Sequence, residues 1–106
     1  MKVVSFVDHY RAVSKARLRL QAEYKDAMWL LDYAEGDEDN ILTEALMIEN
    51  NITVIRDERH RLSTMVDAEK TAHRIKYPGP VEFDMDWEFK YRMVSVPKIV
   101  VAVLGY

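Results

Sequence analysis

From residue 40 to residue 75 the chain carries no glycine or proline, and Ile41, Ala45, Ile48, Ile52, Ile55, Leu62 and Val66 recur in alternating steps of four and three. That spacing predicts one long helix with a single apolar stripe, broken only where Arg59 occupies a seam position. Residues 5–35 repeat the design. Phe6, Tyr10, Val13, Leu20, Tyr24, Ala27, Leu31 and Ala34 form the second stripe, interrupted by Arg17, with Ser5 placed to cap the helix and Gly36 to stop it. A short polar link between two such helices predicts an antiparallel hairpin with coiled-coil-like packing. In the register expected from that link, Leu31 faces Ala45, Tyr24 faces Ile52 and Tyr10 faces Val66. Arg17 then meets Arg59, and His9 lies near Asp67 as a surface ion pair. Asn50 and Asn51 mark the point where the second helix is most easily broken.

After Lys76 the period changes. Tyr77-Pro78-Gly79-Pro80 ends the helix, since proline cannot continue it and Gly79 suits a turn. From Val81 to Met93 apolar and charged residues alternate strictly, which predicts a strand over residues 81–94 with an aromatic face carrying Trp87 and Phe89. Residues 99–105 are apolar on both faces and predict a second, buried strand. Lys2 to Phe6 offer a third strand at the expense of a later start to the first helix. The expected fold class is α+β, mainly α. It consists of a long antiparallel helical hairpin followed by a C-terminal β-hairpin or ribbon and completed by oligomerisation.

Composition narrows the class without naming a reaction. At 106 residues, 49% hydrophobic and 31% charged, the chain is expected to be one globular domain spanning residues 1–106. A net charge of −3 disfavours nucleic-acid binding, even though Lys15, Arg19, Arg56 and Arg61 concentrate base in the open half of the hairpin. The absence of cysteine excludes disulfides and thiolate chemistry and fits a cytoplasmic location. No apolar run approaches the roughly 20 residues of a membrane span, so no membrane partner is expected.

Candidate chemistry is sparse. Asp57-x-x-His60 and Glu69-x-x-x-His73 place carboxylate and imidazole on one helix face, but Arg19, Ala16 and Lys15 stand opposite the first pair, so no metal site is expected. His9, His60 and His73 lack a neighbouring nucleophile or glycine-rich turn, and the acidic row Glu82, Asp84, Asp86 and Glu88 lacks a calcium loop. Neither catalytic residues nor a cofactor are expected. Asn51-Ile52-Thr53 matches the glycosylation pattern but falls inside a helix.

Two features point toward binding. The hairpin tip is apolar almost all round. Trp29, Leu30, Tyr33 and Met47 cannot all face one partner helix, and together with Trp87, Phe89 and Val101 they form the expected oligomer interface. The second feature is the Arg17/Arg59 layer, in which two like charges in a seam require something negative between them, such as Glu58 or Glu23 turned inward or a bound anion. The leading expectation is therefore a small non-enzymatic, self-associating interaction or regulatory protein with a protein partner. The alternative is an oligomeric binder of a small anionic ligand, such as a nucleotide, through Arg17, Arg59, Arg56 and Arg19.

Overall fold

The computed structural model describes residues 2–33, 38–83 and 92–106. These residues form β1 (Lys2–Ser5), α1 (Phe6–Tyr33), α2 (Glu38–Lys76), β2 (Met93–Val96) and α3 (Lys98–Leu104). The described chain is mainly helical and elongated, with extents of 62 × 30 × 16 Å. At about 1.5 Å per residue the 28 residues of α1 and the 39 of α2 account for that length.

The hairpin forms as the spacing predicts, and Ser5 caps it: the Asp8 backbone N–H donates to Ser5 Oγ at 3.3 Å, with the Asp8 carboxylate in the positive first turn. α2 runs unbroken through Asn50 and Asn51. Four of its threonines, Thr43, Thr53, Thr64 and Thr71, donate to the carbonyl one turn earlier and so satisfy their hydroxyls within the helix.

The stripe on each helix is displaced from the expected one. On α1 the buried residues are Phe6, His9, Val13, Ala16, Leu20 and Ala27, so His9 and Ala16 take the places expected for Tyr10 and Arg17. On α2 Glu58 is buried and Arg59 only half-buried. His9 bonds Glu58 and not Asp67, which corrects the register: the helices slide so that His9 lies nearer the tip-proximal part of α2. The physical reason is that rotation by one residue moves a guanidinium to the margin of the seam, where its charge stays hydrated, and brings in an alanine that allows close approach.

β1 pairs antiparallel with β2, Lys2 opposite Val96 and Ser5 opposite Met93, and the Phe6 N–H continues the ladder to the Arg92 carbonyl at 2.8 Å. Val94 and Val96 point into the core. Of the strand expected over 81–94, residues 81–83 are not in a strand, residues 84–91 lie outside the described ones, and Met93 and Val94 belong to β2. Residues 99–105 are helical, not extended. Pro97 precedes the first turn and accepts from both the Val100 and Val101 N–H groups, and Gly105, in the left-handed region at φ 76°, closes the last turn by donating to Val101 O at 2.9 Å. Val100 is buried and Val103 and Leu104 half-buried, a helical spacing that fits one face onto the hairpin. That fit outweighs the strand preference of a valine-rich run.

Leu62, fully buried in the core, is expected to lose about 2–5 kcal/mol on substitution by alanine. Gly105→Ala is expected to lose roughly 1–2 kcal/mol through its left-handed backbone. Urea denaturation of both variants checks the core and the helical assignment of α3; an unchanged midpoint for Gly105→Ala contradicts the latter.

Candidate functional site

Glu58 is the focus of the most constrained polar group among the described residues. It is buried on α2, with Arg61 one turn later on the same face, so the guanidinium folds back onto it: Nε donates to Oε1 at 2.5 Å and Nη2 to Oε2 at 2.9 Å. His9, fully buried on α1, places Nε2 at 2.7 Å from Oε2 and Nδ1 at 3.1 Å from the Tyr106 hydroxyl. An ionised carboxylate only accepts, so Nε2 carries hydrogen. In the neutral ring Nδ1 accepts from the tyrosine O–H; in the charged ring it donates to the tyrosine oxygen. Arg61 Nη2 also donates to the Ser95 carbonyl at 3.1 Å, which joins β2 to the group.

Burial pushes the Glu58 carboxyl upward, but the hydrogen bonds and charges of Arg61 and His9 outweigh it and hold the group at about 2. The bond to Glu58 raises Arg61, while burial and the nearby Asp8 and Glu58 charges raise Tyr106. Chemically, histidine, carboxylate and tyrosine could form a proton relay. Here both ring nitrogens are engaged and the ring has no exposed edge, so the arrangement acts as a clamp.

Arg17 and Arg59, both half-buried, line one cleft at the edge of the seam. With Ser14 and Leu18 they line a cleft of about 200 Å³, and neither has an ion-pair partner among the described residues. Glu58 does turn inward, but toward His9 and Arg61. Arg19 is drawn elsewhere, 3.7 Å from Glu23 and 3.4 Å from the Val103 carbonyl; Arg56 is exposed on α2. At the tip Trp29, Leu30, Tyr33 and Met47 remain 58%, 41%, 74% and 64% exposed, and Trp29 stacks obliquely on Tyr33 at 5.6 Å. Val101 is half-buried on α3, far from that tip in the fold; Trp87 and Phe89 lie outside the described residues.

The histidines considered for metal binding have other surroundings. Glu69 is paired with Arg92, the His73 ring packs between Tyr77 and Phe83, and Asp57 and His60 are exposed. No group of three or more potential metal ligands occurs among the described residues. No described helix is long and apolar enough to cross a membrane. Sequence inspection missed the Glu58 group because its members are spread from residue 9 to residue 106. The available signal was an Arg one turn after a Glu on the seam-facing side of α2.

Because the folded Glu58 carboxyl titrates below its ordinary 4.5, the stabilisation it carries is complete above about pH 4.5 and is lost as the pH falls toward 2. Urea midpoints of the wild type are expected to fall through that window. Glu58→Gln is expected to be less stable at pH 7 by about 1–3 kcal/mol and to lose this part of the pH dependence. In comparisons with protein-family models, curated proteins and solved structures, nothing matches the chain.

Proposed function

We propose that this chain is a non-enzymatic, self-associating interaction protein whose hairpin tip docks on the tip of a second copy. The observation that carries the reading is the ring of large apolar side chains left open there: Trp29, Leu30 and Tyr33 on α1, and Leu42, Leu46 and Met47 on α2. A patch that encircles the end of a hairpin is available to an identical patch related by a two-fold axis, and hydrophobic burial favours the pairing. Assembly by the tip leaves the charged half of the hairpin, where Lys15, Arg56 and His60 are exposed, free to engage a protein partner. Occupation of both nitrogens of the one fully buried histidine among the described residues supports a structural over a catalytic role for it.

A second reading, binding of a small anion, is favoured by the shared Arg17/Arg59 cleft, since paired guanidinium groups suit a phosphate. Thermal melts separate it from simple charge repulsion. If the cleft holds an anion, phosphate or a nucleotide raises the wild-type Tm and Arg17→Leu or Arg59→Leu abolishes the rise. If the arginines merely repel, no ligand acts and both leucine variants melt higher.

For the tip, sedimentation equilibrium at micromolar concentration is expected to show the wild type larger than one chain. The double variant Trp29→Glu, Leu30→Glu is expected to sediment as a folded single chain. A well-folded wild type that sediments as one chain overturns the proposal.

A further inference from the structure

At the other end of α1 from the tip, roughly 40 Å away along the helix, lies a cleft of about 580 Å³ between the start of β1, the end of β2, α2 and the first turns of α3. This is within the roughly 300–1,000 Å³ range of small-molecule sites. Its apolar part is made by Val96, Pro97 and Val101, and its polar part by Lys2, Arg61 and Lys98. The lining holds three basic side chains and no acidic one among the described residues. Lys2 lies over the Tyr106 ring at 5.7 Å, and neither Lys2 nor Lys98 has an ion-pair partner among the described residues. Arg61 is fixed in direction by Glu58 and Ser95, so one wall of the cleft is rigid before anything enters.

We infer that this cleft binds a small soluble amphiphilic anion, a carboxylate or phosphate on an apolar body, with the head between Lys2 and Lys98 and the body on Val96, Pro97 and Val101. The charge pattern decides the class of occupant. An uncharged apolar molecule leaves two ammonium groups without a counter-charge beside a newly dehydrated surface, and a cation is repelled by both lysines, Arg61 being compensated by Glu58. Inorganic phosphate satisfies the ammonium groups but leaves the Pro97 and Val101 surface wet, Val96 being already buried. An anion with an apolar body satisfies both. The other cavities fit this chemistry less well: the one beside His73 brings Glu82 in with its bases, and the Arg17/Arg59 cleft is about a third as large.

The test is a titration of the full chain, with labelled valine methyl groups, by octanoate, 1-octanol and octyltrimethylammonium. Octanoate is expected to shift the Val96 and Val101 methyl signals saturably at one equivalent per chain. Its affinity is expected to be at least about tenfold above that of 1-octanol and to fall with added salt. Lys2→Glu with Lys98→Glu is expected to weaken octanoate by about tenfold or more, and Lys98→Gln alone to weaken it measurably; both lysines are exposed, so the fold, checked by circular dichroism, should persist. Equal binding of octanoate and octanol overturns the inference, as does unchanged affinity in the folded charge variants or saturation at residues of the hairpin tip instead. Val96 and Val101 signals that move with protein concentration alone assign the cleft to a second copy. Uptake of the protein by anionic phospholipid vesicles without saturable octanoate binding assigns it to a membrane surface. Either result also overturns the inference.

Discussion

The carboxylate of Glu58, removed from water and held by His9 and Arg61, is the constraint on which the arrangement of the other elements depends. Apolar side chains along two long helices tolerate sliding by a turn, because one isoleucine packs against another almost as well as against the next. A buried charge does not. Displaced by one turn, Glu58 loses the imidazole and part of its guanidinium fork and stands unpaired in an apolar seam, a change of several kcal/mol. Arg61 extends the constraint to β2 through Ser95, and His9 extends it to the segment after α3 through Tyr106. One ionised group therefore aligns the hairpin, the sheet and Tyr106.

The helical hairpin was legible because its apolar spacing extends over many turns and its Ser5 cap agrees with it, while the Gly36 stop lies outside the described residues. The exact facing stripe was not. On α1 the tracks through Tyr10 and Arg17 or through His9 and Ala16 differ by one residue, and counting apolar residues does not separate them, since each holds one at these positions. The structure takes the second, because alanine permits close approach and His9 has a carboxylate waiting on α2. Long-range pairing of this kind leaves no periodic trace. The C-terminal run failed for another reason: Ile99 to Leu104 is apolar at every position, so it has no period from which to choose between strand and helix. Pro97 and Gly105 at its two ends were the informative residues.

The two regions proposed to bind sit at opposite ends of an elongated molecule. The tip is apolar and uncovered; the base has a cleft with basic walls, closed from behind by the Glu58 group. Between them the hairpin is a stiff spacer, since α2 is continuous over its 39 residues. Separation of this kind lets the chain associate at one end without obstructing the other.

The bond between His9 and Tyr106 joins residues 97 positions apart in the chain. α1 and α2 are adjacent in sequence and can fold against each other as soon as both exist, but at that stage the imidazole has only Glu58 for company. Among the described residues its second nitrogen is partnered only by Tyr106, beyond α3. Closing so long a loop carries an entropy penalty that grows only slowly with length, so the separation of 97 positions does not preclude the bond. Without α3 and Tyr106 in place, the hairpin has one polar atom of its interior unpartnered and one flank uncovered. The contact is therefore a latch: α3 lies on the hairpin, Gly105 turns the chain, and the tyrosine hydroxyl closes over the histidine.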